Sequence, residues 1–363
     1  MNAEEYLDIV DGEGEPTGRT KARSLVHRDG DLHRTSHVWI ARRKGGRLQL
    51  LLQKRSRNKD SHPGCYDISS AGHIPAGSDF EDSALRELKE ELGVDAEAGE
   101  LECCGVRRIH WEDRFYGKPF LDNQVSRVYV LWKNLEISQF CPQTSEIEAV
   151  RWMDLETLFE QVERNSIPHC IFTEELCMVK RKLEEESAFP VLPAEEEDLE
   201  AILSLERIAF ERLSGGQKDW YVTDDMRFLR RHLKAEGALL KIPCGRRLAA
   251  FLALRFPKDA ADSLFPYAVQ YAGAAKGDER LCAHMETVAV HPDFYGNGLM
   301  KKLLEEGISL AEREGMRYLL ATVHPDNRFS RGNFEKAGFR PLTETRKYGG
   351  LRRLIYYYEC SGS

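Results

Sequence analysis

The chain is 363 residues long, 42% hydrophobic and 31% charged, with a net charge of −8. That length exceeds what one core usually organises and predicts two domains; the modest negative charge argues against nucleic acid as a partner. No apolar run approaches the roughly 20 residues that cross a bilayer, so no membrane partner is expected. The start, Met1-Asn2-Ala3-Glu4-Glu5, does not read as a signal peptide, and nine scattered cysteines without a C-x-x-C pair predict reduced thiols in the cytoplasm.

Residues 1–35 read as an acidic start, a turn at Asp11–Gly18 and a histidine-bearing loop from His27 to His33. Strands are expected at 37–41, 48–55 and 67–71. Arg55 and Arg57 end the second of these, where either could meet a substrate phosphate or be solvated. The stretch 72–94 comes next, with a helix over 80–92. At 100° per residue, Ala84, Leu85, Leu88 and Leu92 form an apolar stripe, and Glu87, Glu90 and Glu91 a carboxylate ridge. Three carboxylates so close repel unless a cation sits among them, and a hard divalent ion, Mg²⁺ or Mn²⁺, suits oxygen ligands. Alone, such a ridge also reads as a solvated face. The glycine-bearing turn before it, with Ser78-x-x-Glu81 as a capping signal, marks it out. Strands near 101–109 and 124–132, a segment leading into Trp152 and a helix at 154–162 complete an α/β/α sandwich.

The segment resembles the Nudix box, G-x5-E-x7-R-E-U-x-E-E-x-G-U, where U is aliphatic. Gly72, Arg86, Glu87, Leu88, Glu90, Glu91, Gly93 and Val94 match; Ser78 replaces the family's first Glu. The resemblance implies that Glu87, Glu90 and Glu91 hold metal, with the Gly72 carbonyl a further ligand. It implies a carboxylate to deprotonate water (Glu87, or a loop Glu such as Glu146 or Glu148), Arg86 orienting Glu90, and substrate contacts at Arg55, His73 and Arg86. The surroundings are similar to the isopentenyl-diphosphate isomerase subgroup: His27 to His33, Leu51 to Ser56, Pro63-Gly64-Cys65-Tyr66 and Ala71-Gly72-His73. The isomerases use a catalytic Cys where Ala71 stands and a Glu for which Gln124 is the best match. Neither replacement transfers a proton, so the expectation is metal-dependent diphosphate hydrolysis. His27, His33 and His73, metal ligands in the isomerases, are expected here as substrate or structural contacts, and Cys65 as incidental.

From Asn165 the composition shifts. A charged helix at 174–186 and Phe189-Pro-Val-Leu-Pro193 predict a first domain over 1–165, a helical linker over 166–188 and a second domain over 189–363. The second half opens with an amphipathic helix at 198–206, another at 225–235 and strand pairs at 238–243 and 247–256. A strand over 287–290 then ends at Pro292, and a turn with Gly296 and Gly298 opens a helix to about Gly315. Backbone N–H groups at such a helix start form an anion site.

This run resembles motif A of the GNAT N-acetyltransferases, and Leu319–Asn327 with Asn333–Phe339 resembles the strand and motif B that follow. The resemblance implies a mixed-sheet domain that binds acetyl-CoA and acetylates an amine. The backbone of Val288 and Val290 would pair with pantetheine, and Tyr295, Gly296, Asn297, Gly298, Met300 and Lys301 would wrap the pyrophosphate. Asn327 and Ser330 would face the pantetheine arm, and Glu286 is the general-base candidate beside a plain strand-residue reading. Tyr295 and Met300 depart from the motif, and Phe334 stands where many members carry an acidic Tyr. Acceptor specificity would lie in loops such as 257–281.

The whole reads as a bifunctional α/β (α+β) enzyme, a Nudix α/β/α sandwich followed by a GNAT mixed-sheet domain. Its partners would be a small-molecule diphosphate, acetyl-CoA and an amine acceptor. The alternative is that only one domain is catalytic and the other a regulatory ligand-binding module. A pure interaction scaffold would leave the Glu ridge and the Gly turn without a purpose.

Overall fold

The computed structural model describes residues 4–59, 61–115, 118–256 and 264–360. The chain forms two compact units, Met1–Ala188 and Phe189–Ser363.

The first unit contains β1 (Tyr6–Val10), β2 (Pro16–Ala22), α1 (Arg23–Asp29), β3 (His33–Lys44), β4 (Arg47–Arg55), β5 (Tyr66–Asp67), β6 (Ser70–His73), α2 (Phe80–Leu92), β7 (Leu101–Phe115), β8 (Lys118–Trp132), β9 (Ile147–Asp154), α3 (Leu155–Glu163) and α4 (Thr173–Glu186). The sheet runs β5-β4-β3-β8-β7, with β6 on β3 and β9 on β4, and β3–β8 is parallel. Strand alternation sorts β3 between two layers. Val38 and Ile40 pack with Ala84, Leu88 and Leu92 of α2 in one core. His37 and Trp39 turn the other way, toward Glu175 of α4. A helix layer on each face makes the expected sandwich.

Two local expectations change. The segment 166–188, expected as a linker, supplies α4, a layer of the first unit: Trp39 Nε1 donates to Glu175 at 2.8 Å and Trp132 Nε1 to Glu186 at 2.7 Å. Its charged sequence hid an inward stripe of Leu176, Val179 and Leu183, all fully buried. Residues before His33, expected as turn and loop, form the β1–β2 hairpin and α1, so that His27 sits on a helix. The β2 sequence PTGRTKA is almost wholly exposed and has no apolar alternation to announce a strand.

The second unit contains β10 (Leu192–Pro193), α5 (Leu199–Glu211), α6 (Met226–Arg231), β11 (Gly237–Cys244), β12 (Arg247–Arg255), α7 (Phe265–Ala272), β13 (Cys282–Val290), α8 (Leu299–Arg313), β14 (Tyr318–Val323), α9 (Arg328–Lys336), β15 (Arg340–Lys347) and β16 (Leu351–Glu359). The sheet order is β10-β11-β12-β13-β14-β16-β15, mixed because β13 and β14 run parallel. That parallel pairing covers only Cys282–Met285 against Tyr318–Ala321. Beyond it the strands part. A register shift in the β12–β13 ladder between Ala253 and Leu254 falls at the same level, next to Glu286; bulges of this kind bend a strand and end pairing. On one face, Leu199, Ile202 and Leu205 of α5 pack on Leu239, Phe251 and Ala289. Among the described residues, no helix is long and apolar enough to cross a membrane.

Candidate active sites

In the first unit the core-facing stripe of α2 fixes where its carboxylates point. The helix starts at Asp79, whose side chain accepts from Asp82 N at 2.8 Å. The cap is thus Asp79, not the expected Ser78. The turn at Gly77 (φ 78°) leaves Asp79 extended (φ −97°, ψ 176°), as an N-cap requires. Glu87 and Glu91 line a cavity of ≈510 Å³ together with Gly72 of β6. A Cβ on Gly72 would lie 2.4 Å from the Glu87 side chain. Only glycine lets that carboxylate seat against the strand. Glu91 is 6% exposed, and its Oε2 is buried with no hydrogen-bond partner. Burial, with Glu87 and Glu146 nearby, pushes the Glu91 carboxyl up to about 8, and burial raises Glu87 as well. A buried carboxylate oxygen without a donor, beside a second carboxylate and a glycine cradle, is a fit for a hard cation.

Two features of this helix bear on the roles expected of Glu90 and Arg86. Glu90 is exposed and outside the cavity lining, because Leu88 and Leu92 commit α2 to the core and turn position 90 away. Arg86 pairs with Glu87 Oε1 at 2.7 Å, not with Glu90. Of the basic residues at the β4 end, Arg55 lines the cavity, bonded to Asp67 at 3.0 Å and to Ser61. Arg57 is exposed and near Glu148. Of the loop carboxylates, Glu146 lines the cavity and pairs with Lys59 at 2.5 Å; Glu148 pairs with Lys54 outside the lining.

At the other end of the cavity, α1, β3 and β6 bring His27, His33 and His73 together, with ligand atoms all within 4.8 Å of one another. His27 Nε2 lies 3.2 Å from His73 Nε2, and Asp122 Oδ1 lies 3.7 and 3.6 Å from His27 and His33. Burial, then mutual proximity, drives His27 down to about 3, and burial lowers His33 and His73. Three converging neutral imidazoles, with the Asp122 carboxylate beside two of them, suit a transition-metal ion. Spacing did not show this, since His27 is on a helix the sequence did not announce; the resemblance to the isomerases had named the three histidines together. Ala71 and Gln124 line the same cavity. Gln124 Nε2 donates to both Asp122 oxygens at 2.7 Å, and the methyl of Ala71 faces no proton-transfer task.

Sequence reasoning missed the dyad on the α4 side. His37 Nδ1 lies 2.9 and 3.1 Å from the two Glu175 oxygens. Glu175, 1% exposed, also accepts from Trp39 and, at 3.1 Å, from Arg107. Burial works against a charge on His37, but the Glu175 carboxylate outweighs it and raises the pKa. The His-x-Trp alternation in β3 was the available signal, because it puts both rings on one face.

In the second unit a smaller cavity, ≈160 Å³, opens where β13 and β14 part. Its lining includes Glu286, Val288, Met300, Asn327 and Ser330 from the expected set. Val288 and Val290 still pair with Leu252 and Ala250 of β12, but their other edge lies beyond the β14 pairing. Gly296 (φ 87°) and Gly298 (φ 70°) hold left-handed conformations, and Gly298 is the N-cap of α8, whose first N–H groups lack helical partners. Tyr295 and Lys301 are exposed, and Asn297 Nδ2 donates to Phe294 O at 2.9 Å. Asn327 caps α9 through Ser330 N at 3.1 Å. Phe334 is buried against Phe339 and Tyr356. The hydroxyl it lacks has a neighbour the sequence did not flag: Tyr348 lines the cavity, 3.1 Å from Thr322 Oγ1.

Glu286 differs most from expectation. It is ion-paired with Arg255 and near His284. Burial opposes its charge, but His284 and Arg255 outweigh this and hold the carboxyl at about 2. So strongly stabilised a carboxylate is a weak proton acceptor. Asp224, which accepts from Thr287 Oγ1 at 2.7 Å, lines the same cavity, with its pKa raised by burial and by Glu206. Of the 257–281 loop, residues 257–263 lie outside the described residues.

The first unit therefore has the architecture and carboxylate-bearing helix of a diphosphate-cleaving class, and the second the splayed parallel strands and glycine turn of an acyltransferase class. Comparison with known proteins agrees. The NUDIX domain model matches residues 31–175 and the acetyltransferase (GNAT) family model residues 199–339. An uncharacterized Nudix hydrolase of Clostridium acetobutylicum is 39% identical over 155 residues, which are 43% of this chain and 72% of that protein. Nudix hydrolase 3 of Arabidopsis thaliana is 44% identical over 156 residues, 42% of this chain but 20% of the plant protein. Among solved structures, a Salmonella typhimurium acetyltransferase with its cofactor acetyl-CoA aligns at 18% identity and a TM-score of 0.37, over 48% of this chain and 95% of that one. The chain belongs to the Nudix hydrolase family and, later in its sequence, carries a GNAT-family acetyltransferase domain; both are enzyme domains.

Proposed function

We propose that the first unit hydrolyses a diphosphate bond in a small-molecule metabolite with a bound Mg²⁺ or Mn²⁺, and that the second transfers acetyl from acetyl-CoA to an amine. The orphaned Glu91 Oε2 beside Glu87 and Gly72 carries the first half of this reading. Glu91, Glu87 and the Gly72 carbonyl would hold the cation. When bound, the cation supplies neutralisation of the diphosphate and a more acidic water. Glu146, paired with Lys59, accepts the proton of the attacking water, and Arg55 and Lys59 orient phosphoryl oxygens. His27, His33, His73 and Asp122 would form a second set, suited to a transition-metal ion.

In the second unit, the free edge of Val288 and Val290 would pair with pantetheine, and the Tyr295–Lys301 turn at the start of α8 would take the coenzyme A pyrophosphate. Ionised Glu286 attracts and orients the acceptor ammonium, and Asp224, whose raised pKa suits it better, takes the proton. Tyr348 offers the hydroxyl that Phe334 lacks. A cytoplasmic setting fits both reactions. The test is a metabolite extract incubated with the protein, Mg²⁺ and acetyl-CoA and followed by untargeted mass spectrometry. The reading expects diphosphates that are cleaved and amines that gain an acetyl group; an unchanged extract contradicts it.

A further inference from the structure

Strand register divides the lining of the second unit's cavity between the two faces of its sheet. Val288 is opposite Leu252, and a Cβ on Gly307 of α8 would lie 3.2 Å from Leu252, so Val288 faces α8. On the other face, Ile355 of β16 shares a core with Phe265 and Ala268 of α7. Thr322, opposite Ile355, and Arg353, two residues before it, are on that α7 face. Glu286 belongs there too. It pairs with Arg255 and lies near His284, whose Nε2 accepts from Leu264 N, at the head of α7, at 3.1 Å. The coenzyme reading uses the edge of Val288 and the turn before α8; the α7 face is left for the acceptor.

Arg353 has no task in the acetyl transfer proposed above. It lines the cavity, is 3% exposed, and has no carboxylate in an ion pair with it among the described residues. Its Nη1 donates to Asp219 O at 2.9 Å and to Arg352 O at 2.8 Å, and its guanidinium carbon is 5.3 Å from the centre of the Tyr348 ring. These contacts fix the group and leave Nε and Nη2 without an acceptor among the described residues. The exposed Asp219 carboxylate acts on it more weakly than burial does. A guanidinium cannot shed its proton, so burial without a counter-ion leaves a costly charge. The unused Nε–Nη2 edge is the one that grips a carboxylate through two parallel hydrogen bonds. Arg353 is also the one lysine or arginine in the lining, which matches a carboxylate and leaves half the charge of a phosphate dianion unmet. Of the turn assigned to the coenzyme A pyrophosphate, Met300 alone lines this cavity, so the missing anion is not the coenzyme's. Tyr348 is close to both charges, since Glu286 and Arg353 each act on its hydroxyl.

We propose that the acceptor is an amine that carries its own carboxylate, a free amino acid, with the carboxylate on Arg353 and the ammonium on Glu286. The proposal rests on the acetyltransferase reading. An amine without the carboxylate leaves Arg353 buried and unpaired, and sites of this kind discriminate against analogues that lack the recognised group.

The experiment uses the full-length protein, acetyl-CoA and three sets of acceptors: free α- and ω-amino acids, their carboxamides, and aminoethyl phosphate. Acetylation rates are followed by mass spectrometry, acceptor binding by calorimetry with coenzyme A in place of acetyl-CoA, and thermal midpoints are recorded. Wild type is expected to favour its best amino acid over the matching carboxamide at least about tenfold, in kcat/KM and in affinity, the scale of a hydrogen bond to a charged group. Arg353→Met is expected to abolish that preference by slowing the acid and not the amide. Arg353→Lys, which keeps the charge without the fork, restores part of it. Equal use of acid and amide by wild type overturns the proposal. So does equal loss of both in Arg353→Met at an unchanged thermal midpoint, or acetylation of aminoethyl phosphate ahead of every amino acid. Should Arg353→Met lower the thermal midpoint, Arg353→Lys and the wild-type preference decide. Wild type that binds acetyl-CoA but acetylates no amino acid overturns the proposal alone; wild type that binds no acetyl-CoA overturns the acetyltransferase reading with it.

Discussion

Glu91 and Glu286 are the same residue type in opposite circumstances. Both are carboxylates lining a cavity, Glu91 buried and Glu286 half-buried, yet one is pushed up to about 8 and the other held at about 2. The difference is the neighbour. Glu91 has the carboxylates of Glu87 and Glu146 nearby, and Lys59 acts on it only more weakly than they do; Glu286 has Arg255 and His284. A carboxylate that the fold leaves uncompensated asks for a cation from outside, whereas one that the fold has neutralised is left to orient and attract. The two cavities follow suit. On the proposed reading, the first recognises through side-chain charge, and the second through backbone exposed where β13 and β14 part and through the glycine turn before α8.

The sharpest way to break this comparison is Glu91→Gln. Phosphate release with Mg²⁺ should fall at least about a hundredfold, the scale of losing a charge-stabilising group at a reaction centre, while acetyl-CoA affinity measured by calorimetry stays unchanged. Comparable loss of both would mean the substitution acts through folding.

A second test uses pH without metal. Glu91 keeps its proton in the folded state up to about 8, whereas its ordinary value is 4.5. Between those values the unfolded chain has released a proton that the folded chain holds, so stability falls as pH rises through that window. Every tenfold difference in proton affinity between the two states corresponds to about 1.4 kcal/mol. Glu91→Gln removes this penalty. Metal-free, the variant should match wild type near about pH 5 and exceed it by roughly a few kcal/mol above about pH 8. Chemical denaturation at both pH values measures it; a pH-independent difference would contradict the uncompensated state.

Gly72→Ala probes the cradle. Its Cβ would sit 2.4 Å from the Glu87 side chain, so Glu87 must move, with an overpacking cost of about 1–3 kcal/mol and weaker Mg²⁺ binding. Equal Mg²⁺ affinity by calorimetry would show that Glu87 does not need this seat. The smallest effect belongs to the second unit. Gly298→Ala meets no atom within 4 Å, so only its left-handed φ is strained, at about 1–2 kcal/mol. Acetyl-CoA affinity should drop about tenfold or less, with hydrolysis untouched; a loss of hydrolysis would contradict separate sites.

What was legible follows how local each signal is. The α2 helix and its Glu–Gly arrangement occupy one short stretch, so spacing alone placed Glu87 and Glu91 together. The β13–turn–α8 run was legible for the same reason. Spacing did not group His27, His33 and His73, which the resemblance to the isomerases brought together, and it left Asp122 unflagged, because the cluster joins α1, β3, β6 and β8. Glu175 was hidden in a helix that reads as charged throughout, and its partner His37 lies 138 positions earlier. Tyr348 and Asp224 reach the second cavity from turns whose sequences carry no periodicity. Nor does spacing reveal a neutralising partner: Arg255 lies on another strand from Glu286, and only tertiary structure shows that the expected base is already paired.

The central claim is that Glu91 is uncompensated until a divalent cation arrives. The direct measurement is the thermal midpoint of wild type and Glu91→Gln, at about pH 8, with and without millimolar Mg²⁺. Preferential binding to the folded state stabilises it by mass action. The account predicts that Mg²⁺ raises the wild-type midpoint and reverses the order of the two proteins, with little shift in the variant. An equal shift in both proteins, or none in wild type, would contradict it.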